Sequence, residues 1–232
     1  MEGLHQGHRD RLRKRMLEKG LDHFEKHEVL ELLLFHALPR RDTNELAHRL
    51  INTFGSFAGV LDAPYEELLK VKGMGPTSAA LLKMMPQLLR VYLTDQEERG
   101  CVLNTTTKLG RYLVNRYVGC RTERMYVLSL DNTGQLLACR MLSEGSPEQV
   151  NLIPRQLAEE AIRTGASSLV ISHNHPNGFA IPSSQDVTVT RQMYTALKAI
   201  GITLADHIIV AKGEDFYSMA DAGVVPVREG FF

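Results

Sequence analysis

Residues 169–186 read Leu169-Val170-Ile171-Ser172-His173-Asn174-His175-Pro176-Asn177-Gly178-Phe179-Ala180-Ile181-Pro182-Ser183-Ser184-Gln185-Asp186. The apolar, β-branched run at 169–171 has the length and composition of a buried strand. His173 and His175 stand two apart at its end. In a strand, residues i and i+2 point to the same face, so both imidazoles can converge on one point. Pro176, Gly178 and Pro182 are turn residues. Ser183 followed three residues later by Asp186 then fits a capping box, the opening of a helix. A helix start favours the anionic carboxylate that a metal needs, so capping and ligation are compatible. Two histidines, one carboxylate and an open fourth position are the ligand set of a catalytic zinc rather than a structural one.

The pattern around this stretch alternates helix and strand. Downstream, Ser184 to Ile200 reads as a helix with Val189, Met193, Leu197 and Ile200 on one stripe. Ile208-Ile209-Val210 is a strand, and Phe216-Tyr217-Ser218 a weaker one. His207, beside Asp206, reads as a core histidine bonded to backbone, with a place beside the metal ligands as the alternative. Upstream, Met125 to Leu130 and Leu136 to Leu142 flank the turn Asp131-Asn132-Thr133-Gly134, a hairpin signal. Thr105 to Tyr117 is a helix, and Pro154 to Thr164 is another with Leu157, Ala158, Ala161 and Ile162 inward.

The first hundred residues read as helices alone. Arg11 to Lys19 ends at Gly20, and an apolar helix, Val29 to Phe35, stops before Pro39. Asp42-Thr43-Asn44-Glu45 has capping-box spacing. Asp62-Ala63-Pro64 starts a short helix through Leu69. Ser78 to Tyr92 resumes as helix, where Pro86 predicts a kink or break. The polar run Thr94 to Gly100 is the linker candidate, dividing the chain into a helical domain, 1–98, and an α/β domain, 99–232.

Bulk properties narrow the function. Lys+Arg and Asp+Glu number 27 each, so the chain lacks the basic excess of a protein that binds nucleic acid mainly through phosphate charge. Cys101, Cys120 and Cys139 are three thiols without C-x-x-C spacing, which argues against a disulfide framework or a cysteine zinc knuckle. No apolar run reaches the ~18 residues of a membrane span. The N-terminus has no apolar signal region, so a cytoplasmic location and no membrane partner are expected.

H-x-H, seven residues, then S-x-x-D is the JAMM motif of MPN-type metalloproteases, and His173, His175, Ser183 and Asp186 match it position for position. The form His-Asn-His-Pro-x-Gly, with Pro182 before Ser183, resembles the RadC family. So do the strand Tyr126–Asp131, the segment Asp206-His207-Ile208-Ile209 and the helical N-terminal half. The opening Gly7-His8-Arg9-Asp10 departs from that family's usual start. The resemblance implies an α/β MPN domain (JAB-type, deaminase-like) after a small all-α domain. It also implies Zn2+ on His173, His175 and Asp186 with water in the fourth position, a glutamate general base, and Ser183 as hydroxyl donor to the oxyanion. Glu123 stands at the family's glutamate position, ahead of the first strand; Glu144 is its competitor and Glu148 a third. A base deaminase would need H-x-E and C-x-x-C, and both are missing.

Val71-Lys72-Gly73-Met74-Gly75-Pro76 resembles a helix-hairpin-helix. Its glycines permit a tight turn, and a helix start can hold a phosphate without reading bases. Lys72, Gly73 and Gly75 are the candidate contacts to non-sequence-specific DNA. The leading expectation is therefore a zinc-dependent hydrolase, a metallopeptidase or isopeptidase acting on an unidentified peptide or isopeptide. The alternative is a DNA-associated repair or recombination factor with a structural or vestigial metal site.

Overall fold

The computed structural model describes residues 2–97, 101–145, 153–213 and 215–224; Glu148 lies outside them. The chain forms two compact units, Met1–Leu89 and Arg90–Phe232.

The first unit is helical: α1 (Glu2–Lys19), α2 (Lys26–Ala37), α3 (Asn44–Phe54), α4 (Phe57–Asp62), α5 (Tyr65–Lys70) and the start of α6 (Pro76–Asp95). Its core gathers Leu30 and Leu34 of α2, Leu46 and Leu50 of α3, Val60, Leu68 and Leu82. Leu12, Phe24, Leu32 and Phe35 form a smaller cluster between α1 and α2. The capping box expected at α3 does not form. The helix begins one residue late for that spacing, and Thr43 has φ −108° and ψ −6°, so its hydroxyl makes no cap. The Asp42 carboxylate accepts from Asn44 N–H instead (2.9 Å), and Glu45 pairs with Arg49. Of the kink or break expected at Pro86, the break does not occur: α6 runs on through it, the proline removing a single backbone donor from a 20-residue helix.

Helix α4, which the sequence reading missed although Ser56 caps it, packs tightly on the end of α3. A Cβ at Gly59 would overlap the backbone carbonyl of Phe54, and a backbone group cannot swing aside as a side chain can. Gly59→Ala is therefore expected to destabilise the protein by about 1–3 kcal/mol, read as a lower urea midpoint at unchanged m-value.

The second unit contains α7 (Thr106–Tyr117), β1 (Arg124–Leu130), β2 (Leu136–Glu144), α8 (Ile153–Thr164), β3 (Ser168–His175), α9 (Ser184–Ala199), β4 (Thr203–Ala211) and β5 (Phe216–Ser218). Among the described residues the sheet has five strands in the order β2-β1-β3-β4-β5. β3 and β4 are parallel, joined through α9, and the other neighbours are antiparallel. One face, with Val127, Leu169, Ile171 and Ile209, is covered by Leu157 and Ala161 of α8 and Met193 and Leu197 of α9. The other, with Leu128, Val170 and Ile208, is covered by Leu109 and Leu113 of α7. This is a helix–sheet–helix sandwich, the layering expected of helices interleaved with strands.

Two inward positions differ from expectation. Ile162 is 76 % exposed while Glu160 is 1 % exposed. The Glu160 carboxylate is held by Arg163 (2.5 Å) and Arg140 (3.2 Å), which is what permits a charge on that stripe. On α9 the stripe runs through buried Thr190, Met193 and Leu197, and Ile200 lies past the helix end, exposed.

Candidate metal centre

The centre sits at the C-terminal end of β3 and the N-terminus of α9, where parallel strands of open α/β sheets place their ligand sites. His173 and His175 project from β3 on the face that α9 covers. The chain then turns through Pro176 and Gly178 and enters α9 at its N-cap, Ser183. The capping box expected there is formed. Ser183 Oγ accepts from Asp186 N–H (3.1 Å), and the Asp186 carboxylate accepts from Ser183 N–H (2.8 Å). The Ser183 hydroxyl also donates to Asp186 Oδ2 (2.6 Å). Two donors therefore hold Oδ2, and Oδ1 turns to His173 Nε2, 3.4 Å away.

The ligand atoms of His173, His175 and Asp186 all lie within 4.8 Å of one another. The two Nε2 atoms are 3.1 Å apart, and His175 Nε2 is 4.0 Å from the carboxylate. A tetrahedral zinc with bonds of about 2.0–2.1 Å needs neighbouring donors about 3.3–3.4 Å apart, so this triangle fits one. His175 Nδ1 lies 2.9 Å from the Phe179 carbonyl. A carbonyl only accepts, so Nδ1 carries the proton and the Nε2 lone pair is left for the centre. Burial pushes His173 down to about 4, Asp186 opposing and His175 reinforcing. It is thus neutral at pH 7. The His173 side chain is 9 % exposed, against 22 % for His175 and for Asp186; the centre is closed beneath and open to solvent on its outer side. Phe179 and Ile181, both exposed and apolar, flank that side of the turn.

His207 follows the second of its two sequence readings, a place beside the candidate ligands, rather than the backbone-bonded one. It is buried as expected, but its partners are side chains: His173 Nδ1 at 2.8 Å and Thr190 Oγ1 at 2.6 Å. Burial, with His173 and His175 nearby, holds it well below the ordinary imidazole range. No spacing rule connects residues 173, 190 and 207; only the parallel register, with His207 opposite Ile171, brings them together.

The candidate glutamates separate cleanly. Glu144 accepts from Arg124 Nη2 (2.6 Å) and Nε (2.9 Å) and from Thr122 Oγ1 (3.0 Å). The Arg124 hydrogen bond, then that of Thr122, lowers its pKa. Arg124 is therefore the partner of Glu144, not of Glu123. Glu123 is exposed, and its carboxylate has no partner among the described residues. Its backbone is well held. The Asn174 carboxamide accepts from Arg124 N–H (2.8 Å) and donates to the Thr122 carbonyl (3.2 Å), gripping the peptide groups on either side of Glu123. From the other strand, Gly145 N–H donates to the Glu123 carbonyl (2.8 Å). Met125 pairs with His173 at the end of the β1–β3 ladder, and Glu123 stands two residues before Met125, just ahead of β1.

In the helical unit, Lys72, Gly73 and Gly75 lie in the turn between α5 and α6. Gly73 takes φ +103°, a left-handed conformation suited to glycine. The Lys72 carbonyl accepts from Arg49 Nη1 (2.6 Å), and Gly75 N–H donates to Ser78 Oγ (2.9 Å). The Gly75 amide is thus engaged within the protein. Among the described residues, no helix is long and apolar enough to cross a membrane.

Residues 103–224 match the RadC-like JAB domain family and residues 5–80 the UPF0758 N-terminal family. A UPF0758 protein of Fusobacterium nucleatum is 30 % identical over 227 residues, covering 95 % of this chain and 97 % of its own. One of Ruegeria pomeroyi is 34 % identical over 214 residues (92 % and 96 %), and one of Rhodobacter capsulatus 35 % over 210 (90 % and 98 %). The family match spans β1 to β5 and so takes in the histidine pair, the capped aspartate and the strand behind Glu123: the chain belongs to the RadC-like JAB domain family.

Proposed function

We propose that the chain is a zinc-dependent hydrolase of JAMM type, acting on a peptide or isopeptide carbonyl. The observation that carries this reading is the convergence of two imidazole nitrogens and one carboxylate oxygen on a single point with an open solvent side. The three close donors fit a cation, and imidazole nitrogens with a carboxylate suit zinc.

When bound, zinc supplies Lewis acidity, polarising a carbonyl and letting a water lose its proton near neutral pH. The protein's own groups do the rest. Glu123, unpaired and held by its backbone just ahead of β1, takes the proton from the attacking water and returns it to the leaving amine. Ser183 supplies a hydroxyl beside the centre. In the structure that hydroxyl donates to Asp186 Oδ2, so an oxyanion role requires it to rotate off the carboxylate as negative charge develops on the substrate. Phe179 and Ile181 offer apolar surface to the substrate beside the cleaved bond.

The test is zinc content of the purified full chain, together with hydrolysis of a quenched fluorescent peptide library and of lysine-linked isopeptide conjugates. About one zinc per chain is expected, with cleavage lost on chelation. A folded chain that takes up no zinc at a modest excess overturns the reading. Glu144→Gln serves as the control: with its carboxylate committed to Arg124 and Thr122, zinc content and cleavage rate are expected to stay at wild-type levels.

A further inference from the structure

The three ligands come from two elements, β3 and α9, and the hydrogen bonds behind them join those elements in one directed chain. It begins at the third ligand. Thr190 Oγ1 lies 2.6 Å from the backbone carbonyl of Asp186. Two oxygens that close need a proton between them, and a carbonyl has none to give, so the Thr190 hydroxyl donates. Its lone pairs are then what faces His207 Nδ1 at 2.6 Å, so that nitrogen carries the proton of His207. His207 Nε2 is left as an acceptor, and it faces His173 Nδ1 at 2.8 Å. His173 therefore carries its proton on Nδ1 and directs the Nε2 lone pair to the point shared with His175 and Asp186. Every link is forced by the one before it. The opposite order would put a proton on His173 Nε2, between it and His175 Nε2, and close the centre to a cation.

We infer that Thr190 and His207 are positioning residues of the metal centre: by a one-way hydrogen-bond relay from the Asp186 carbonyl they lock His173 in its metal-binding tautomer and tie the α9 ligand to the β3 ligand. The inference rests on the metal reading above and adds to it two residues that need not touch the metal. Metal-bound histidines commonly have their second nitrogen fixed by a carboxylate, carbonyl or water. Here a second, buried histidine does this, and its own orientation is set from the helix that carries the aspartate. Thr190 is also 0 % exposed, so no solvent water is at hand to replace its hydroxyl.

Two measurements test it on the purified full chain. In the first, zinc affinity is read by competition with a chromogenic chelator, with thermal unfolding of the zinc-free protein as the check on fold. Thr190→Val keeps the shape and removes the hydroxyl; it is expected to weaken zinc binding about 10–100-fold. Thr190→Ser restores the hydroxyl and should recover most of the affinity. A folded Thr190→Val chain that binds zinc as tightly as wild type overturns the relay alone. A wild-type chain that binds no zinc overturns the metal reading, and the relay's purpose with it. The second measurement needs no substitution. Nitrogen-15 NMR of the zinc-free wild-type imidazoles should find both His173 and His207 protonated on Nδ1. Finding the His173 proton on Nε2 overturns the relay even if every variant fails to fold.

Discussion

Replacing Asp186 by asparagine is expected to empty the centre. Zinc should fall from about one ion per chain to near zero, and any hydrolysis should go with it. Asp186 has two functions that this substitution separates. Oδ2 accepts from Ser183 N–H and Oγ–H, while Oδ1 faces His173. Asparagine retains a carbonyl oxygen for the cap but loses the negative charge that balances a dication. Asp186→Ala removes both and should add a loss of about 0.3–1 kcal/mol, that of a first-turn carboxylate at a helix start, to the loss of metal. The expected pattern is two zinc-free variants of which only the alanine melts clearly lower. Stoichiometric zinc in Asp186→Asn, measured by elemental analysis after dialysis, would show that the carboxylate is not a ligand.

The second large effect is at Glu123. Glu123→Gln is expected to lower the cleavage rate about 10²–10⁴-fold, the range of a lost general acid–base group, while zinc content stays at wild-type level. The amide is the same size and lies at the surface, so stability should barely change. Holding zinc while losing turnover is what distinguishes this position from the ligands, and it makes the variant a trap for bound substrate. If Glu123→Gln cleaves at the wild-type rate, proton transfer belongs to another group. Glu144 is a poor substitute, with its carboxylate bound by Arg124 on two nitrogens.

Much of the centre was legible in the chain because its parts are local. The i, i+2 histidines need only a strand to share a face. The S-x-x-D cap needs only a helix start, and both lie within fourteen residues, His173 to Asp186. The helix–strand order of the second unit was readable for the same reason: its apolar periods are regular, and Thr105, Ser183 and the Asp131–Gly134 turn mark the boundaries. Local signals failed where tertiary partners outvoted them. Glu160 is inward with its carboxylate held by Arg163 of its own helix and by Arg140, which β2 brings within reach, and Ile162 is outward. Pro86 stays within a continuous helix, where a kink or a break was expected.

The sequence by itself therefore determined the candidate ligand set, the capped aspartate and the alternation that makes an α/β sandwich, since each depends on neighbours a few bonds apart. Only the tertiary structure paired Arg124 with Glu144 and ran the Asn174 clamp across from β3 to the residues around Glu123. It alone also chose between the two readings of His207, setting it against His173. The physical reason is the same in both cases. A hydrogen bond between residues 34 or 50 positions apart is set by strand register and helix docking, and neither leaves a periodic mark in the chain.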